Sequence, residues 1–297
     1  MHNTQRYFVG IGAQRAGTTW LARMFDRHPD IGMSPVKETH YWSSKYVDHQ
    51  RNSVRGLQAM KIRMPQLLRH CRAHPGETLP WISAYLGMMA HRDASYRTFI
   101  ERGRYGCPVA GEITPAYATL PKEAFAALDG CLAQPRYIFI LRNPADRFIS
   151  QIAHTADRDA SVLRTPLSEL LAQPYFAMRS SYEATYLTCR SVVDADRLHV
   201  LFYEDLFGPQ TAQPAFDALC AFLGVPSMAV DIAEVVNARP RPEHGAAREE
   251  IVALLQNDYL FARDSFPDAL PSSWISDLAL MDGLPRDRAA APGGQSC

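Results

Sequence analysis

Tyr7-Phe8-Val9-Gly10-Ile11-Gly12-Ala13-Gln14-Arg15-Ala16-Gly17-Thr18-Thr19-Trp20 decides the architecture of this chain. The first six residues read as a short buried strand. Gly12 and Gly17 then frame a loop at the spacing G-x-x-x-x-G, and a helix is expected from about Thr18 to Arg27, where His28-Pro29 stops it. A strand that turns through glycines into a helix N-terminus gathers backbone N–H groups around one point, which is what an anion needs. In a nucleotide-triphosphatase the second glycine is followed by Lys and then Ser or Thr. Here Thr18 and Thr19 take those places, and the cation inside the loop is Arg15. The frame predicts a phosphate site, but not one for a Mg-bound triphosphate.

Outward from this loop the same grammar repeats. Asp30 to Met33 reads as a second short strand, and residues from about 45 to 105 are helical in pattern. Arg136-Tyr137-Ile138-Phe139-Ile140-Leu141 is an apolar run behind one Arg, as in a central parallel strand buried on both faces. Asn143-Pro144 opens a helix, with Asn as N-cap and Pro in the first helical position. A further helix is expected over about Ser180 to Val193 and a further strand over Leu198 to Tyr203. Another helix ends at Phe222-Leu223-Gly224, with Pro226 beyond its glycine cap. Strands alternating with helices give an α/β class: a P-loop-like fold with a central parallel sheet flanked by helices. The expectation is one domain over residues 1–283, its 45–105 segment covering an acceptor site, and a flexible tail over 284–297.

A second anion anchor follows the central strand: Arg142-Asn143-Pro144-Ala145-Asp146-Arg147-Phe148-Ile149-Ser150. Arg142 comes at the carboxyl end of a parallel strand, where ligands of open α/β sheets bind. Ser150, on the helix that follows, offers a hydroxyl to the same group.

Together these segments resemble the sulfotransferases that use 3′-phosphoadenosine-5′-phosphosulfate (PAPS). The resemblance runs from about residue 6 to Trp274 and is specific in the two cofactor segments. It implies that Gln14, Arg15, Ala16, Gly17, Thr18, Thr19 and Trp20 hold the 5′-phosphosulfate and that Arg142 and Ser150 hold the 3′-phosphate. Tyr182, Arg239 and Arg241 match further cofactor positions. Two phosphate anchors call for a ligand phosphorylated at two places, which PAPS is and ATP is not. The family usually has Lys at the place of Arg15; Arg keeps the charge but presents a planar fork. Val36-Lys37-Glu38-Thr39-His40-Tyr41-Trp42 resembles a Lys-Glu-Pro-His-Phe-Phe segment of carbohydrate sulfotransferases. That likeness implies Glu38 as general base and Lys37 as the cation beside it. His154, one helical turn beyond Ser150, matches a histidine of the heparan sulfate N-sulfotransferase domains, as a second acid/base or an acceptor contact. Gly111-Glu112-Ile113-Thr114-Pro115-Ala116-Tyr117 resembles a Glu-Lys-Ser/Thr-Pro-x-Tyr segment of the same relatives. Ile113 stands where the family has Lys, and Glu112 is expected to anchor the site through hydrogen bonds.

Composition bounds the remaining choices. A chain of 297 residues, 47% hydrophobic, 21% charged and of zero formal net charge is an ordinary globular protein, not a general binder of nucleic acid. Residues 45–104 carry eleven Lys/Arg against four Asp/Glu, which suits a polar acceptor, a partner surface or simply solvated helices. No basic-then-apolar leader and no 18-residue apolar run is present. The six cysteines are scattered without a CxxC pair, so free thiols and a cytoplasmic setting are expected. His70 and His74 lack the Glu of H-E-x-x-H, and no metal is expected. The function expected is transfer of a sulfuryl group from PAPS to a hydroxyl or amine of a small-molecule, carbohydrate or lipid acceptor, releasing 3′,5′-diphosphoadenosine. A P-loop kinase or NTPase, and a nucleotide-binding module without turnover, stand as the alternatives.

Overall fold

The computed structural model describes residues 6–47, 52–103, 106–232 and 248–282. In chain order the elements are β1 (Arg6–Gly12), α1 (Thr18–Arg27), β2 (Ile31–Met33), α2 (Tyr41–Tyr46), α3 (Asn52–Ala73), α4 (Thr78–Met89), α5 (Asp93–Glu101) and β3 (Val109–Ile113). Then follow α6 (Lys122–Cys131), β4 (Arg136–Leu141), α7 (Pro144–Ala156), α8 (Leu167–Ala172), α9 (Pro174–Ala177), α10 (Tyr182–Arg190) and β5 (Leu198–Phe202). The chain continues through α11 (Tyr203–Phe207), α12 (Ala212–Leu223), α13 (Arg248–Leu254), α14 (Gln256–Ser265) and α15 (Ser272–Asp282).

The five strands form one parallel sheet in the order β2-β3-β1-β4-β5. The chain leaves β1 for the β2 edge, returns to β3, and then crosses to β4 on the other side of β1. The carboxyl end of β1 is therefore the point where strand order reverses, the usual ligand crevice of such sheets. Burial on both faces explains the apolar runs: six of the seven residues of β1 and all five of β3 are buried. Helix α1 packs Trp20, Leu21, Met24 and Phe25 inward, and Phe25 meets Phe8 of β1 edge-on at 5.1 Å. That contact joins the helix after the loop to the strand before it, so the loop is held at both ends.

The chain groups into two compact units. One, Met1–Leu141 with Thr185–Val236, contains the whole sheet. The other is Arg142–Ala184 with Asn237–Cys297. Within it a buried polar network joins the start of α7 to the C-terminal helices. Asn143 caps α7 by accepting from the Asp146 N–H at 3.2 Å and donates to Asp277 at 2.6 Å. Tyr259 donates to Asp277 at 2.8 Å, and Arg248 grips the same carboxylate through Nε and Nη2, each at 2.7 Å. Among the described residues no helix is long and apolar enough to cross a membrane. Arg239, Arg241 and the 284–297 tail lie outside the described residues.

Candidate active site

The loop after β1 is built by two left-handed residues and a packed helix start. Arg15 has φ 67° and Gly17 φ 76°. Backbone bonds from Ala13 N–H to Ile140 O (2.8 Å) and from Ala16 N–H to Ala13 O (3.3 Å) fix the turn against β4. Gly17 is the N-cap of α1 and supplies no side-chain cap. The first intrahelical bond there is Leu21 N–H to Gly17 O, at 3.1 Å. The N–H groups of Thr18, Thr19 and Trp20 precede it and so have no partner one turn back within the helix. With the partial positive charge of the helix start, such N–H groups are suited to an anion, which is what the sequence reading expects at this loop. Thr18 is buried, whereas Gln14, Arg15 and Thr19 are half-exposed. Trp20 is placed differently. Its indole is buried, donates to Asp231 O at 3.0 Å, and packs on Phe207 at 5.1 Å. Its ring is part of the core.

Lys37 and Glu38 lie on the segment after β2. Lys37 Nζ donates to Glu38 Oε1 at 2.5 Å, and His40 Nε2 lies 3.4 Å from Glu38 Oε2. Both side chains of the Lys37–Glu38 pair are partly exposed, at 26% and 35%. Burial alone would raise the Glu38 carboxyl, but the His40 hydrogen bond and the Lys37 charge outweigh it and hold the pKa at about 2. Glu38 is thus an ionised acceptor, clamped between two potential cations until something displaces them. The backbone is unusual here: Glu38 has φ 61° and His40 φ 53°.

Beneath this turn sits Glu112 on β3, fully buried. It accepts from Thr39 N–H (3.1 Å), Thr39 Oγ1 (2.7 Å), Tyr96 (2.7 Å), Thr114 (2.7 Å) and Tyr117 (2.9 Å). Burial, with the Glu112 charge beside them, pushes the Tyr96 and Tyr117 hydroxyls well above their ordinary value, so both remain donors. Its neighbour Ile113 points away into the core; a Cβ on Gly10 would come within 2.8 Å of its Cγ1. Position 113 is therefore an apolar packing site in this chain.

In the second unit, Arg142 directly follows β4 and is half-buried. Tyr182 brackets its backbone: the buried hydroxyl donates to Arg142 O at 2.7 Å and receives the Arg142 N–H at 3.4 Å. Tyr182 in turn donates its own N–H to the buried Asp258 at 2.7 Å. Ser150 and His154 are half-buried and one turn apart on α7. Arg147, between Arg142 and Ser150 in sequence, is fully buried, donating to Gln151 at 2.6 Å and to Ser180. Arg147, Asp258 and Asp277 were not legible in the sequence, because Ser180, Tyr182 and Asn143, which they bind, lie 33, 76 and 134 residues away. Among the described residues no group of His, Cys, Asp and Glu is arranged to hold a metal ion.

The sequence matches the model of a sulfotransferase family over residues 8–229. No match was found among curated proteins. Among solved structures, a sulfotransferase from Alicyclobacillus acidocaldarius is similar at 21% identity and TM-score 0.62, covering 92% of this chain and 99% of that one. The sulfotransferase domain of the Synechococcus PCC 7002 olefin synthase follows at 18% identity and TM-score 0.51, covering 90% and 96%. The sulfotransferase domain of the curacin biosynthetic pathway is similar at 17% identity and TM-score 0.50, with 75% of each chain covered. At these identities the structures speak for the fold.

Proposed function

This chain belongs to the sulfotransferase family, and from that premise we propose that its sulfuryl donor is PAPS and its acceptor a hydroxyl or amine of a small-molecule, carbohydrate or lipid substrate. The observation that carries the donor assignment is the loop at Gly12–Thr19: an anion cradle at a helix start with threonine where a kinase needs lysine. In this reading Gln14 to Trp20 take the 5′-phosphosulfate through backbone N–H groups and the threonine hydroxyls. Arg142 and Ser150 take the 3′-phosphate. Tyr182 supports the anchor by holding the Arg142 backbone.

Sulfuryl transfer needs in-line placement, stabilised charge and a proton acceptor. The acceptor oxygen or nitrogen forms a bond to sulfur while the bond from sulfur to the bridging phosphate oxygen breaks. The electron pair leaves with the phosphate of 3′,5′-diphosphoadenosine. The acceptor proton passes to the Glu38 carboxylate. Lys37 and Arg15 stabilise the charge that develops on the transferred group and on the leaving oxygen. Arg15 does this as a fixed cation rather than a proton donor, because guanidinium does not deprotonate in proteins. A carboxylate at about 2 is a weak base, so acceptor entry has to loosen its contact with Lys37 or His40 before the proton moves. His154 is assigned to the acceptor side as a second acid/base or a contact.

Glu38→Gln tests the assignment. Sulfate transfer from labelled PAPS to an acceptor found by screening sugars, phenols, amines and lipids should fall by about 100-fold or more. Thermal stabilisation by 3′,5′-diphosphoadenosine should persist. Unchanged turnover would remove Glu38 as the base.

A further inference from the structure

We infer that Glu112 is a positioning residue: by gripping Thr39 it fixes the left-handed turn that presents Lys37, Glu38 and His40. The inference rests on Glu38 being the base. Two residues of that turn, Glu38 and His40, stand at positive φ without being glycine. Such conformations cost about 1–2 kcal/mol each and persist only where the surroundings over-determine them. The residue between them is Thr39, buried, and held by both of its donors on both oxygens of one carboxylate.

The same carboxylate orders the start of α2. His40, the N-cap, makes no side-chain cap bond. Instead the Tyr41 N–H reaches Thr39 Oγ1 at 3.3 Å, and the Trp42 N–H reaches the Tyr117 hydroxyl at 3.4 Å. Thr39 and Tyr117 both reach Glu112 Oε1, at 2.7 and 2.9 Å, and lie 3.0 Å from each other, so the two hydroxyls that meet the helix N–H groups are themselves gathered on this carboxyl. The hydrogen bonds that run from the start of α2 to β3 therefore converge on one side chain, Glu112. Among the described residues no cation pairs with Glu112; its partners are neutral donors from residues 39, 96, 114 and 117. A buried carboxylate without a counter-ion is costly to the fold. Five hydrogen bonds offset that cost, and what they hold in place is the turn. A glutamine there would present N–H groups to hydroxyl donors and break this convergence.

The test reads Glu38 itself and needs no acceptor. Protein labelled with 13C at glutamate Cδ is titrated from pH 7 to pH 3, and the Glu38 resonance is identified by its absence in Glu38→Gln. In the native chain and in Thr39→Ser, which keeps the hydroxyl, Glu38 should stay ionised across this range, in keeping with a pKa of about 2. In Glu112→Gln and in Thr39→Val, the turn loosens and the His40 and Lys37 contacts with it. The midpoint should then climb toward the ordinary value of about 4.3, at least a tenfold gain in protonation at a given pH. A purely structural Glu112 would lower the melting temperature and leave that midpoint alone. Midpoints in Glu112→Gln and Thr39→Val equal to the native one would overturn the inference. If Glu112→Gln does not fold, the near-isosteric Thr39→Val decides alone. Failure of Glu38 as base shows elsewhere, as undiminished turnover in Glu38→Gln, so the two readings fall separately.

Discussion

Gly17→Ala is the perturbation whose size the structure allows to be worked out. Gly17 sits at φ 76°, and a Cβ there would lie 2.7 Å from Phe207 Cε2 and 3.1 Å from both Phe207 Cζ and Tyr203 Cδ2. The left-handed backbone costs an L-residue about 1–2 kcal/mol. Forcing a methyl against a ring edge at that distance adds about 1–3 kcal/mol. The sum is about 2–5 kcal/mol, or roughly 5–15 °C in melting temperature for a unit of this size. The two contributions separate in a double-mutant cycle. Phe207→Leu in the Gly17→Ala background should recover the contact part, about 1 kcal/mol or more of favourable coupling, and none of the backbone part. The assay is thermal or urea denaturation of the four proteins, with and without 3′,5′-diphosphoadenosine. Because the strained residue is the N-cap of the helix proposed to take the 5′-phosphosulfate, ligand-induced stabilisation should shrink as well. A Gly17→Ala chain that melts with the native one and gains the same stabilisation would refute the reasoning about the loop.

Three other outcomes follow from the same geometry. Trp20→Phe should cost about 1 kcal/mol through loss of the bond to Asp231 O, while ligand-induced stabilisation stays intact; loss of ligand binding would mean that the indole itself touches the cofactor. Ile113→Lys should destabilise the chain by about 3 kcal/mol or more, since it buries an ammonium against Gly10; a stable variant with tighter ligand binding would show that this position still faces the site. Burial raises the Asp258 carboxyl to about 7, against the Tyr182 N–H and the Arg147 charge. The folded state therefore holds this proton where the unfolded chain, near 3.9, has lost it, and the stability gained is full below about pH 4 and drains away as pH rises to 7, by about 4 kcal/mol at most. Asp258→Asn should flatten that slope in urea titrations between pH 4 and 8, and an unchanged slope would place the carboxyl at an ordinary value.

What could be read in advance was whatever local chemistry dictates. The bounds of α1 follow from Gly17 before it and His28-Pro29 after it, and the structure has them at Thr18–Arg27. Asn143-Pro144 announced α7, and the Asn143 side chain does cap it. Gly224 ends α12 with φ 71°, as a glycine C-cap should. Strand β3 was not legible. Its Val109-Ala110-Gly111-Glu112-Ile113 run places a glycine and a carboxylate inside a buried strand, against the propensity of both. Only the folded chain shows why they are tolerated: a Cβ on Gly111 would strike Phe8 O at 2.2 Å, and the Glu112 donors come from distant residues. The Asn143–Asp277–Arg248 cluster was hidden for the same reason, since it joins side chains more than a hundred residues apart. At Trp20 the motif match does not distinguish backbone from side chain, and the structure shows the indole to be part of the core.

The account turns on a donor carrying a 3′-phosphate. Calorimetric titration of the native chain in EDTA with 3′,5′-diphosphoadenosine and with adenosine 5′-monophosphate tests this most directly. The diphosphate should bind at least tenfold tighter, about 1.4 kcal/mol, and Arg142→Ala should erase most of that difference while leaving the monophosphate unaffected. Equal affinity for the two nucleotides, or no binding of the diphosphate, would contradict it.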